Sequence, residues 1–342
     1  MAKSATERLA EAAQEPEVQR VAAAAAALTG VAATGRLLVD RGRRRRHDAR
    51  RFRLRRGEPL AQGVRRVARG RIDDALDHLQ GVGGGEDQAE AVHAARKSLK
   101  RARAVLRLAR DELGDDVYRR ENAAYRDAGR RLAAARDADV MIDTLEAVTG
   151  AAGGEGHRNG DAGLRARLEG ERERARAALE ADESERREAV AALEDARARI
   201  DDWHLDDDVA PLAAGLRRIY RRGRRRMRAA REEPTDERLH EWRKRAKDLW
   251  HGYELLDRAQ PRAMRARARD AHRLAELLGE DHDLAVLRER VVDHDLRAVI
   301  DRRRGALRAE AFELGARVYR RKPRKLATRI ARRWRRRAAS PA

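Results

Sequence analysis

The chain has 342 residues, a formal net charge of +21, a pI near 11.1 and no cysteine. Such an excess of cations points to a polyanionic partner (nucleic acid, polyphosphate or an anionic membrane surface), and the missing thiols exclude disulfides and cysteine-ligated metal sites. An aromatic content of 3% disfavours recognition by stacking on unpaired bases, and the N-terminus lacks the pattern of a cleaved signal peptide.

Strand signals are nearly absent. Runs rich in Ala, Leu, Arg and Glu, with apolar residues three and four apart, predict an all-α chain. Residues 1–48 read as an extra N-terminal Ala-rich helix and a basic tether. Within them Val21 to Val39 is apolar except for Arg36, too short and too rich in alanine to span a bilayer, so membrane association is not expected. Helix one is expected from Glu58 to Leu79, ended by the glycines between Gly81 and Gly85. Helix two runs from Asp87 to Leu113 and is closed by Gly114, and helix three from Val117 to Val148. Gly150 to Gly163 reads as a loop, and a charge-laced helix four follows from Leu164 to Ile200.

A second set begins near Pro211. Helix five is expected to Arg231, helix six from Asp236 to Leu256, and helix seven from Pro261 to Val292 with a break near Gly279. Helix eight takes the remainder and is ended or kinked at Pro323. Beyond it Leu326, Ile330 and Trp334, spaced by four in a basic background, predict an amphipathic helix packed on its own bundle.

The two sets correspond in detail. His93-Ala-Ala-Arg96-Lys97-Ser-Leu-Lys100 matches His240-Glu-Trp-Arg243-Lys244-Arg-Ala-Lys247, and Arg136-Asp137-Ala138-Asp139-Val140 lies over His282-Asp283-Leu284-Ala285-Val286. Arg65, Arg69, Gly70 and Arg71 lie over Arg218, Arg222, Gly223 and Arg224. Because the order is kept and only loop lengths differ, the sequence predicts two tandem four-helix bundles related by duplication, residues 49–207 and 208–338. Lysine usage sharpens the match. The chain has seven lysines against 73 arginines, and four of the seven are Lys97, Lys100, Lys244 and Lys247. A compact, rotatable ammonium is evidently required at those places.

On a helix, His93, Arg96, Lys97 and Lys100 share an arc of about 100°, extended by Arg103 and Arg107; His240, Arg243, Lys244, Lys247 and His251 repeat it. A single basic face is ordinarily just solvated, but its recurrence in register argues for a ligand. Crowded cations repel one another until an anion arrives. Arginine forks grip paired oxygens, lysine supplies mobile charge, and histidine donates to a phosphate oxygen and gains a proton as it does so. A phosphate polymer suits such a row, with affinity falling steeply as salt rises. Arg65 with Arg69, and Arg218 with Arg222, sit one turn apart and are placed on the facing wall. The two histidines lack a carboxylate at metal-ligand spacing, so no metal site is expected. Asp137, Asp139, Asp281 and Asp283 are read as structural ion-pair partners. No glycine follows the basic residue three places on, which argues against a phosphotransfer histidine.

These residues, with Leu278-Gly279-Glu280-Asp281-His282-Asp283-Leu284 and the Phe52-x-Leu54 entry near Glu58, resemble the CHAD domain, the conserved histidine α-helical domain, over roughly residues 50–335. The resemblance implies two four-helix subdomains about a pseudo-twofold axis, with a basic groove between them that binds inorganic polyphosphate. Carried over by position, its lining is His93, Arg96, Lys97, Lys100 and Arg103 with His240, Arg243, Lys244 and Lys247, followed by Arg65, Arg69, Arg218 and Arg222. Relatives are often fused to a triphosphate hydrolase with a Glu-x-Glu-x-Lys strand. Here Glu171-Arg-Glu173 and Glu183-Ser-Glu185 fall on helices and lack the lysine, so a binder without catalysis or cofactor is expected. Its setting would be cytoplasmic, at polyphosphate granules. A DNA-associated basic protein is the alternative.

Overall fold

Among the described residues, buried positions at helical spacing form ten α-helices and one 3-10 turn, and no strand occurs. The computed structural model describes residues 52–55, 57–81, 88–132, 136–152, 157–181 and 183–338. The expected N-terminal helix, its tether and the apolar run Val21 to Val39 lie outside them. Among the described residues no helix is long and apolar enough to cross a membrane.

The entry segment is fixed by buried Phe52 and Leu54. Arg71 stands 3.4 Å from the centre of the Phe52 ring, and the Glu58 carboxylate takes two bonds from Arg66, of 2.6 and 2.8 Å. Gly63 permits this closeness, because a Cβ there would lie 2.8 Å from Leu54 and 2.9 Å from the Glu58 carboxylate. Helix α1 (Leu60–Gln80) buries Val64, Val67, Ile72 and Leu79 and packs on α2 (Gln88–Arg131). The sequence divides α2 at Gly114. The structure agrees: the stretch is two helices that meet at a kink at Gly114, at a φ of 77° that glycine alone adopts readily.

Helices α3 (Arg136–Ala152) and α4 (His157–Ala181) pack on one another, and α5 (Glu183–Ala198) returns to α2 and α1. The loop expected over Gly150 to Gly163 is therefore shorter, since helix continues to Ala152 and resumes at His157. Of the long helix four expected from Leu164 to Ile200, the described parts are helical up to Ala181 in α4 and from Glu183 to Ala198 in α5.

In the second half α6 (Ala210–Glu232), α7 (Asp236–Leu255), α8 (Pro261–Arg290) and α9 (His294–Val318) each pack on the next in sequence. Starts follow local chemistry. Proline stands in the first turn of α6 and α8, and the Thr235 and Asp293 side chains accept from Arg238 and Leu296 backbone N–H groups at 3.3 and 2.7 Å. α8 runs unbroken through Gly279. Pro323 opens a separate helix, α10 (Pro323–Ala338), which folds back along α6.

One continuous apolar core runs through both halves. They meet where α6 crosses α2. Gly215 presses its Cα against the Leu108 carbonyl, leaving no room for a Cβ, and Arg218 donates to the Arg107 carbonyl at 2.8 Å while pairing with Asp111.

Candidate anion-binding site

α2 buries Val92, Ala95, Leu99, Ala102 and Leu106 along one side, which turns His93, Arg96, Lys97 and Lys100 to the other flank. There His93 and Arg96 are half-buried, and Lys97 and Lys100 are exposed. α7 repeats the arrangement. Leu239, Trp242, Ala246, Leu249 and Tyr253 face the core, with Trp242 stacked on Phe312 at 5.2 Å. His240, Arg243 and Lys247 are then half-buried and Lys244 is exposed. Each copy thus keeps its histidine, arginine and two lysines off the core side of the helix.

In the second copy the site gains a member from α8. The His282 ring centre lies 4.3 Å from that of His240, tilted by 42°. Nδ1 of His240 is buried and has no hydrogen-bond partner among the described residues. Burial, then His282, Lys244 and Arg243, hold the His240 pKa down to about 4, and burial followed by the Arg243 charge lowers that of His282. Both imidazoles are therefore neutral at pH 7, each able to offer one N–H. Arg243 lies across Gly279, where a Cβ would meet its guanidinium at 3.3 Å. Lys244 is steadied by Glu241 at 2.7 Å, which keeps that carboxylate below the usual range.

Farther along α2 a denser set of guanidiniums gathers at the junction of the halves. Arg107 of α2 and Arg245 of α7 both bind the buried Asp248 carboxylate, at 3.0 and 2.9 Å. Arg103 donates to Asn122 at 3.0 Å; burial and then the charge of Arg107 push its pKa down to about 10. Arg222 is lowered by burial, then by Arg245, with Arg110 adding to it. Guanidiniums lowered first by burial and then by one another mark a place where positive charge is in surplus. Arg107 entered the sequence reading only as an extension of the arc, and Arg245 and Asp248 were missed altogether. Their signal is weak, because Arg245 lies off the His240 face and Asp248 has Arg101 at the matched position of the first half.

The other candidates are engaged within the fold. Both Nε and Nη2 of Arg65 donate to the Trp203 carbonyl, at 3.0 and 2.6 Å. Arg69 is paired with Asp201. Arg218 ties α6 to α2 as described above. Of the four arginines assigned to a facing wall, only Arg222 reaches the guanidinium cluster. His251 departs from the expected arc: it is mostly buried, bonded to Glu254 at 3.2 Å, beside a cavity of about 310 Å³ lined by Arg53, Trp250, Asp257 and Arg265 among others. Asp281 is an ion-pair hub, buried between Arg304 and Arg308 at 3.1 and 2.9 Å, and Asp139 stands 3.6 Å from Arg176. The Asp137 side chain lies outside what is described. No group of three or more metal-ligating side chains occurs among the described residues.

Half-buried cations, neutral imidazoles and a surplus of guanidiniums together make a site that gains from negative charge. The family model described as the CHAD domain matches residues 66–292, which contain every residue named in both copies of the arc. No curated protein matches the chain.

Proposed function

The chain belongs to the CHAD domain family, and on that premise we propose that it binds inorganic polyphosphate along the His93 and His240 faces. The reading includes two four-helix halves, residues 49–207 and 208–338, that share the ligand between them. What carries it is the second-copy cluster, in which His240, His282 and Arg243 converge with Lys244 beside them. The imidazoles, neutral in the free protein, donate hydrogen bonds and take up a proton as phosphate charge arrives, while the cations supply attraction that a monovalent ion would only partly satisfy. Successive phosphates of one chain can engage successive turns, and each contact that releases a counterion adds to the salt dependence. The protein is a binder with no reaction of its own, and in the cytoplasm it would gather at polyphosphate granules.

The test is a titration with polyphosphates of graded length at several salt concentrations. Affinity rises with chain length and falls with salt, and Lys97→Glu combined with Lys244→Glu weakens binding by at least about a hundredfold, near 2.7 kcal/mol. Equal affinity of that double variant and the parent, with both folded, refutes the proposal. Incubation with polyphosphate should release no orthophosphate.

A further inference from the structure

Helix α10 lies beyond the residues matched to the family, and its outer face takes no part in the proposed site. Leu326, Ala327, Ile330 and Trp334 are buried against α6 and the 3-10 turn, with Arg258 over the Trp334 ring at 5.0 Å. That consumes an arc of about 100°. The exposed remainder carries Arg324, Lys325, Arg329, Arg332 and Arg333. On the α6 side that meets the turn into α10, half-buried Arg224 acts on Tyr220.

Where the two helices approach, the charge is organised rather than merely dense. The Tyr220 hydroxyl accepts from the Arg321 backbone N–H at 3.0 Å and lies 3.1 Å from the Arg321 carbonyl, fixing the turn into α10. Arg267 of α8 is half-buried beside it, and among the described residues its one hydrogen bond is a long one to the Met264 sulfur at 3.7 Å. Burial lowers its pKa, and Arg321 and Arg329 act on it in the same sense; no carboxylate is among the groups that act on it most strongly. Arginines held this way are oriented for an anion before it arrives.

We propose that the α6–α10 face is a docking surface for double-stranded DNA, separate from the polyphosphate site. Three observations choose the partner. The exposed arc of α10 holds no large apolar and no aromatic side chain, so it offers neither a stacking platform for single strands nor a wedge for a bilayer. The surface is the outside of a single helix, which offers a flexible chain one line of cations and no second wall, whereas a rigid duplex can lie along it. α10 is 16 residues long, about 24 Å, a length beside which a duplex presents on the order of fourteen phosphates.

The full chain is tested by anisotropy with a labelled duplex of about 25 base pairs and arbitrary sequence. Combining Arg329→Glu, Arg332→Glu and Arg333→Glu should weaken duplex binding at least about thirtyfold and reduce the salt slope by about three, with polyphosphate affinity unchanged. Lys97→Glu with Lys244→Glu should leave duplex affinity within about twofold. If the triple charge reversal lowers the unfolding midpoint, Arg332→Gln with Arg333→Gln serves in its place, with a loss of about fivefold expected. The proposal is overturned if the folded variants bind duplex as the parent does. It is overturned equally if the lysine variant loses DNA to the same degree as the α10 variant, or if the parent sediments with phosphatidylglycerol vesicles yet fails to bind duplex.

Discussion

His240 and His282 stand with ring centres 4.3 Å apart on adjacent helices of the same half, and protonation of either is opposed by burial and by the cations around them. A phosphate oxygen brought to this pair reverses the balance, because negative charge favours the imidazolium. The ligand-bound protein therefore holds more protons than the free protein, and polyphosphate affinity rises as pH falls from 8 toward 5.5. Calorimetry at pH 6 in two buffers of different ionisation enthalpy should register net proton uptake, and His240→Gln should flatten the profile. Proton release would count against the pair as ligand donors. The free protein has the opposite dependence. With the folded His240 pKa about 4 against an ordinary 6.5, the unfolded chain binds more protons between those values, so stability declines as pH falls through that window.

Gly279 supplies a second test because it separates ligand geometry from stability. It lies inside α8, where alanine is intrinsically favoured by roughly 0.5–1 kcal/mol. A Cβ there would stand 3.3 Å from the Arg243 guanidinium and must displace it. Gly279→Ala should thus leave the urea midpoint equal or slightly raised while polyphosphate affinity falls by about three- to tenfold. A variant that binds as the parent does would remove Arg243 from the site.

The same position illustrates what the sequence makes legible. Glycine in a helical run reads as a break, yet at Gly279 it makes room for a side chain from a neighbouring helix, information that periodicity does not contain. At Gly114 the same residue type reads correctly, since its non-helical backbone ends one helix before the next begins. The all-α class and the His93 and His240 arcs were visible because each depends on spacing along one helix. His282 was visible only as a motif member, and Asp248 not at all. Their roles arise from contacts between α7 and α8, and between α7 and α2, that no local pattern encodes.

Gly215 tests how tightly the two halves are coupled. At the crossing of α6 and α2 it touches the Leu108 carbonyl, a backbone atom that cannot swing aside as a side chain can. Gly215→Ala therefore forces the helices apart, straining the Arg218 bond to the Arg107 carbonyl and the apolar contacts around Leu212 and Leu216. A loss of about 3 kcal/mol or more is expected, at the upper end for overpacking. Denaturant unfolding measures it. A loss below about 1 kcal/mol would mean that the crossing is looser than its geometry.

Asp248 joins stability to binding. It is 6% exposed and takes Arg107 from the first half and Arg245 from the second, within a surplus of guanidiniums that includes Arg103 and Arg222. Removing its charge leaves both partners half-buried and unneutralised, so Asp248→Asn should cost about 3–5 kcal/mol. The same change makes the junction a stronger anion receptor, because a phosphate can occupy the role the carboxylate vacated. Polyphosphate should therefore raise the unfolding midpoint of Asp248→Asn by more than it raises that of the parent, narrowing the gap between them. Thermal unfolding with and without polyphosphate, at one salt concentration, decides the matter. A gap that stays constant or widens would place the arginine cluster outside the ligand's reach and confine binding to the histidine-bearing turns.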